Sequence, residues 1–86
     1  MEKNAELESN LEGMRQYGNG MKVAYTAKIY EAAAGWRAGI TYVLGTQKEE
    51  LAVEDNPKAM SLEVRLNGPG KCKARKRIER AIYLNF

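Results

Sequence analysis

Alternating apolar and polar positions predict three β-strands in the middle of the chain, at about residues 21–31, 36–45 and 59–67. The third pattern is the most regular, because every second residue from Met60 to Leu66 is apolar, as a half-buried strand requires. The apolar pattern at residues 21–31 also fits helical spacing. Its Val, Tyr, Thr and Ile residues, and the strand pattern that follows it, favour the strand.

Helical spacing predicts an α-helix before the first strand. Leu7, Leu11 and Met14 recur at intervals of four and three residues, which places them on one face of a helix from Ala5 to Tyr17. The Gly18-Asn19-Gly20 segment is expected to end this helix, since such residues favour left-handed backbone conformations.

A second helix is expected from Lys71 to Leu84, with basic residues opposite an apolar face. That face consists of Ala74, Ile78, Ala81, Ile82 and Asn85. The acidic segment Thr46–Lys58 is expected to form a loop with a short helical turn. The order of elements predicts a single α+β domain over residues 1–86, α-β-β-β-α, with two helices on one face of a three-stranded antiparallel sheet.

Composition excludes several classes of protein. The 86 residues are 44% hydrophobic and 29% charged, which is too apolar for a wholly disordered chain. No apolar run approaches the ~18 residues of a membrane-spanning helix, and the first twenty residues contain no apolar signal segment. With one cysteine, Cys72, neither a disulfide framework nor a common zinc site is expected, and an intracellular location is favoured.

The chain contains no histidine, so the Ser-His-Asp and Cys-His systems of nucleophilic catalysis are excluded. The carboxylates show no recognisable catalytic pairing. We therefore expect a binding module rather than an enzyme, with no cofactor and no metal.

The net charge of +3 is distributed unevenly along the chain. Residues 68–86 contain six basic residues and one acid, so they carry +5, while residues 1–67 carry −2. Such asymmetry indicates a polyanionic partner, and a merely solvated helix face is the alternative.

A glycine-rich break, Gly68-Pro69-Gly70, precedes the second helix. Free backbone N–H groups at the start of a helix favour phosphate, and Lys71, Lys73 and Arg75 place cations around the same point. The stretch lacks the spacing of a nucleotide-binding P-loop. An ordinary loop-to-helix junction is the alternative.

The predicted order of elements and this junction resemble the double-stranded RNA-binding domain, whose last helix opens with a Gly-x-Ser-Lys-Lys-x-Ala-Lys-type motif. Gly68, Lys71, Ala74 and Arg75 match that motif, while a glycine and Cys72 replace its serine and second lysine. A Leu and a Gln five residues apart, Leu11 and Gln16, add a weaker similarity in the first helix.

The resemblance implies recognition of duplex RNA by its shape and backbone. The residues that it implies as contacts are Lys71, Lys73, Arg75, Lys76, Gln16 and Glu12. The family's first-helix acid would fall at Gly13, and its Gly-Pro-x-His element between the first two strands is absent.

A weaker resemblance concerns Tyr25–Tyr30, Gly35-Trp36 and Leu44-Gly45, which look like the opening hairpin of HicB-type antitoxins. It implies a protein that neutralises a partner toxin. The alternative to RNA binding is therefore a protein-interaction or homodimerisation module, using strand edges or apolar surface around Trp36, Tyr42 and the third strand. A site for a small anionic ligand at Gly68 to Arg75 is a third possibility.

Overall fold

A computed structural model of the protein describes residues 8–85, which form a four-stranded antiparallel sheet and one α-helix. The strands are β1 (Glu8–Gln16), β2 (Lys22–Ala32), β3 (Gly35–Gly45) and β4 (Met60–Leu66), in the spatial order β1-β2-β3-β4. A turn of 3-10 helix, Lys48–Glu50, lies between β3 and β4, and the helix α1 (Lys71–Tyr83) follows β4. No helix in the described part of the chain is long and apolar enough to cross a lipid bilayer.

The predicted α-β-β-β-α fold is wrong, because its first helix is a strand. Residues 8–16 pair with β2 along their whole length, from Glu8 opposite Tyr30 to Gln16 opposite Lys22. Residues 5–7 of the predicted helix lie outside the described residues. The sheet therefore has four strands instead of three, and only one helix packs on it.

The segment predicted to end the first helix is instead the turn of a β-hairpin. The Tyr17 N–H donates to the Met21 carbonyl at 2.8 Å, and Gly20 takes a φ of 89°, which suits glycine. Leu11 is buried whereas Met14 is 58% exposed, so the two side chains do not share the face that helical spacing gave them. Continuous pairing with β2 outweighed three apolar residues at helical spacing.

The three predicted strands are present within one residue of their expected bounds, and α1 ends one residue earlier than expected. Ala33 and Ala34 form the turn between β2 and β3, and Gly35 after them takes a φ of 122°. The acidic segment after β3 contains a short helical turn as predicted, at Lys48–Glu50 where about Glu49 to Val53 was expected. The Glu50 carboxylate accepts the N–H groups of Thr46 and Gln47, which lowers the pKa of Glu50.

The main core lies between α1 and one face of the sheet. Ala74, Ile78 and Ile82 of α1 are buried there, whereas Asn85, predicted to share their face, is exposed. The helix packs on β4, β1 and β3. The sheet contributes the following buried side chains: Leu11, Val23, Tyr25, Ala27, Ile29, Ala38, Ile40, Tyr42 and Leu66.

The apolar residues proposed for protein contacts differ in exposure, since Met60 at the start of β4 is 42% exposed. Tyr42 is 5% exposed, and Trp36 is half-buried against the core. On the opposite face of the sheet, the β3–β4 connection places the buried Leu51 on the side of Ala24 and Val43, which are paired neighbours on β2 and β3. The helix face and this smaller cluster together bury most of the apolar residues of the strands.

Candidate nucleic-acid interface

The basic residues of α1 fall into two groups, according to the side of the helix on which they lie. Residues three, four and seven apart share one side of a helix, so Lys73, Lys76, Arg77 and Arg80 form a continuous stripe. All four are exposed, and we call them the outer basic face. The opposite side of α1 carries the buried Ala74, Ile78 and Ile82.

Glu79, the single acid of α1, is turned toward the sheet and is 9% exposed. Its Oε2 accepts the Tyr25 hydroxyl at 2.6 Å, and its Oε1 accepts the Arg15 guanidinium at 3.1 Å. Its backbone carbonyl accepts the Tyr17 hydroxyl at 2.7 Å. These bonds satisfy the buried carboxylate, which would otherwise be costly to remove from water. As a result, the outer basic face contains no negative charge.

Burial and the Glu79 carboxylate together raise the pKa of Tyr25 to about 12. Burial removes the hydroxyl from water, and the carboxylate both accepts the hydrogen bond from the hydroxyl and repels the phenolate. The same two influences, burial first, raise the pKa of Tyr17. Both hydroxyls therefore stay protonated as hydrogen-bond donors at neutral pH.

Arg75 also belongs to this inner side of α1. Its Nη1 donates to the Glu12 carbonyl at 3.0 Å and to the Tyr25 hydroxyl at 3.2 Å. The space that it occupies exists because residue 13 is glycine: a Cβ there would lie 2.3 Å from Arg75 Nη1 and 2.4 Å from the Tyr25 oxygen. We call Arg15, Tyr17, Tyr25, Arg75 and Glu79 the inner network.

Arg77 connects the helix to the other edge of the sheet. Its Nε donates to the Arg65 carbonyl at 2.8 Å, on the edge strand β4. Arg75 and Arg77 therefore hold carbonyls on β1 and β4, the two edge strands, from the two flanks of α1. Both guanidinium groups position the helix, and Arg77 at the same time lies on its exposed side.

Three cations of the outer basic face have no such structural engagement. The side chains of Lys73, Lys76 and Arg80 form no hydrogen bond or ion pair with any residue in the described range 8–85, and the same holds for the side chain of Lys71 at the helix start. Removing a charge at these positions costs the fold no hydrogen bond or ion pair. Their ammonium and guanidinium groups remain available to phosphate.

The glycines of the junction before α1 predict an unusual backbone conformation, which the structure does not contain. No side chain caps the helix, and no acid lies in its first turn. The first backbone hydrogen bond of the helix runs from the Ala74 N–H to the Gly70 carbonyl at 3.0 Å. Gly68 and Gly70 have ordinary negative φ, and a Cβ at either would meet nothing within 4 Å. Neither the backbone nor the space around it requires glycine here. A shallow cleft of about 420 Å³, lined in part by Lys73 and Arg77, adjoins the junction.

A second cleft of about 420 Å³ lies between the end of β1 and the second half of α1. Cationic and aromatic side chains line it together, and its lining residues include Arg15, Gln16, Tyr17, Lys76, Arg80 and Tyr83. The Tyr17 and Tyr83 rings lie 5.3 Å apart with their planes at 38°. The Arg15 guanidinium lies 5.5 Å from the centre of the Tyr17 ring, within the range of a cation–π contact. We call this the tyrosine cleft.

The structure brings together some of the predicted contact residues and separates others. Gln16 and Lys76 line the tyrosine cleft, and Lys73 lies on the same stripe of α1. Glu12 alternates with Leu11 along β1, so its exposed carboxylate lies on the face of the sheet opposite α1. Gln16 and Glu12 belong to a strand and not to the helix from which they were predicted to act.

Sequence reasoning missed the inner network and the tyrosine cleft. One signal was present, since Glu79 is the only acid in a basic helix and lies beside the apolar Ile78 and Ile82 in helical projection. Its partners on β1 were hidden by the helical interpretation of that segment. Among the described residues, no group of three or more Cys, Asp or Glu side chains is arranged to hold a metal ion.

Comparison of the chain with known protein families, with curated proteins and with solved structures gave no match.

Proposed function

We propose that this protein is a non-enzymatic nucleic-acid-binding module, in which the outer basic face of α1 contacts the phosphate backbone. The observation that carries the proposal is the inward position of Glu79, which leaves the exposed side of α1 with four cations and no acid. A cationic stripe of this kind attracts polyanions by counterion release and contributes affinity without sequence preference.

The use of the cations supports this function over a purely structural role. Arg75 and Arg77 hold sheet carbonyls, whereas Lys73, Lys76 and Arg80 contact no acceptor in the described chain. Lys73 also lies at the positive end of the helix dipole, where a cation is unfavourable. Three such side chains on one stripe are accounted for by an external anion.

Duplex RNA is the ligand that the double-stranded RNA-binding resemblance implies, and with the first helix replaced by β1 that resemblance rests on the motif Gly68, Lys71, Ala74 and Arg75 alone. In this fold the contribution of α1 remains, through Lys71, Lys73 and Lys76, while Glu12 lies on the far face of the sheet. Arg75 is held by the Glu12 carbonyl and the Tyr25 hydroxyl, so we assign it to the fold instead of the phosphate contact.

The proposal is tested by titrating a fluorescently labelled RNA duplex of about 20 base pairs, which exceeds the ~16 base pairs that one such domain covers. The triple variant Lys73→Gln/Lys76→Gln/Arg80→Gln should weaken binding at least about tenfold at low salt, because three phosphate contacts are lost. A matched variant, Lys22→Gln/Lys28→Gln/Arg37→Gln, removes the same charge from the sheet.

The position of the charge is thus separated from its amount. Equal weakening by the two triple variants, or no affinity of the unmodified protein for duplex or single-stranded nucleic acid at low salt, would overturn the proposal. Melting temperatures of both variants close to that of the parent protein establish that the fold is intact.

A further inference from the structure

We infer that the tyrosine cleft binds an unpaired base of a single-stranded nucleic acid, with the base stacked on Tyr83 and the adjacent phosphate held by Lys76 and Arg80. This inference rests on the proposed function and names the form of nucleic acid that the same surface prefers. It also gives the end of β1 a role in ligand binding, which the proposal for the outer basic face does not include.

The ring of Tyr83 offers the stacking surface. One side of the ring is tilted against Tyr17 at 5.3 Å, and Tyr83 is 53% exposed. Tyr17 is itself buried, and its hydroxyl donates to the Glu79 carbonyl at 2.7 Å, so the ring beneath Tyr83 is fixed in position. A supported and exposed aromatic ring is the usual platform on which proteins stack single-stranded bases.

The charges around the cleft suit the phosphate that accompanies a base. Lys76 and Arg80 are one helical turn apart and both line the cleft, with no partner in residues 8–85. Arg15 approaches from β1, where its Nη1 bonds Glu79 and leaves more than half of its side chain exposed. The only acid in the lining, Glu79, is already paired with Arg15 and Tyr25.

Access favours a base from a single strand over the interior of a duplex. The cleft has a volume of about 420 Å³, as does the cleft at the start of the helix, so its aromatic lining and not its size distinguishes it. Bases in a duplex are stacked on one another and present only their edges, so a ring such as Tyr83 cannot stack on them.

The test compares a labelled single strand of about 12 nucleotides, within the site size of such domains, with the RNA duplex. Tyr83→Leu should weaken single-strand binding by about 5- to 150-fold, the effect of losing one stacked base. Tyr83→Phe keeps the ring and should bind the single strand like the parent protein. Neither substitution should change duplex binding by more than about twofold, because the duplex uses phosphate contacts alone.

Tyr30→Leu serves as the matched control, since Tyr30 is a partly exposed tyrosine on the opposite face of the sheet and bonds Glu63. It should leave both affinities unchanged. Unaltered single-strand affinity in Tyr83→Leu, with the loss in the α1 triple variant still present, would overturn this inference and leave the proposed function standing. Loss of binding to both ligands in Tyr83→Leu, with a lowered melting temperature, would assign Tyr83 to the fold and also overturn it.

Discussion

The two sides of α1 contain similar residues that the fold uses in opposite ways. On the inner side, Arg75 and Glu79 each have at least two hydrogen bonds to the sheet, and the hydroxyl of Tyr25 lies between them. On the outer side, Lys76 and Arg80 have none within the described chain. The charged groups on the inner side are hydrogen-bonded to the sheet, while those on the outer side are left available.

This difference separates the residues that hold the structure from those that are offered to a ligand. Substitutions on the inner side should lower the free energy of unfolding, and those on the outer side should lower affinity at little cost to folding. A function assigned to all six basic residues of the segment would overlook this division. Four predictions examine it, in decreasing order of expected effect on stability.

Glu79→Leu should lower the free energy of unfolding by about 2–4 kcal/mol, because Arg15 loses its partner and the buried Tyr25 hydroxyl loses its acceptor. Glu79→Gln, which keeps an oxygen that can accept the Tyr25 proton, should cost about half as much. Chemical denaturation followed by circular dichroism measures both. A cost below about 0.5 kcal/mol for the leucine variant, the level of ordinary surface changes, would show that the inner network does not hold the helix.

Gly13→Val should lower the free energy of unfolding by about 1–3 kcal/mol, since added atoms would force Arg75 and Tyr25 out of their positions. The double variant Gly13→Val/Arg75→Ala removes one of the two obstructing groups and should be less destabilised than the sum of its single changes. Additive costs, measured by the same denaturation, would indicate that Gly13 and Arg75 are independent.

Alkaline pH should weaken the inner network through Tyr25. The folded state raises the pKa of this tyrosine from 10.0 to about 12, so it favours the protonated form. The resulting stabilisation is complete below pH 10 and is lost as the pH rises toward 12. Denaturation of the parent protein and of Tyr25→Phe between neutral pH and pH 11.5 should give a stability difference that shrinks above pH 10. A stability difference that stays constant up to pH 11.5 would show that burial and Glu79 do not raise the pKa of Tyr25.

Lys73→Glu should raise the free energy of unfolding by about 0.3–1 kcal/mol, because an acid in the first turn is favourable to the helix dipole and a lysine is not. The same change should weaken nucleic-acid binding. Opposite effects on stability and affinity would sharpen the contrast between the two sides of α1. A destabilising effect would indicate that Lys73 has a structural role.

The central part of this fold was predictable because its patterns are long, and because the strand-forming residues of the ambiguous first pattern favoured a strand. Regular alternation through β2, β3 and β4, and the apolar stripe of α1, required no knowledge of distant contacts. The helix prediction for residues Glu8 to Gln16 was wrong because the apolar pattern there is short. The pairing of this segment with β2 depends on the hairpin turn at Gly18 to Gly20. A Gly-Asn-Gly segment both ends helices and turns hairpins.

Only the part of the candidate site that lies on α1 was predictable, because it requires no knowledge of the neighbouring strand. Lys71 and Lys73 were predicted from the charged start of α1, and Lys76 from the family resemblance. The reassignment of Arg75, Gln16 and Glu12 required the position of β1, since each depends on what that strand places against or away from the helix. The hydrogen bonds between α1 and the sheet in the inner network join residues fifty or more positions apart, and no local pattern encodes such contacts.

The most direct test of the account is the salt dependence of nucleic-acid binding, measured for the parent protein and for Lys73→Gln/Lys76→Gln/Arg80→Gln. Each phosphate contact contributes about −0.9 for duplex, or about −0.7 for a single strand, to the slope of log K against log salt concentration. The account predicts that the triple variant loses about two to three units of slope, while Lys22→Gln/Lys28→Gln/Arg37→Gln keeps the slope of the parent. An unchanged slope in the α1 triple variant would contradict the assignment of phosphate contacts to the outer basic face.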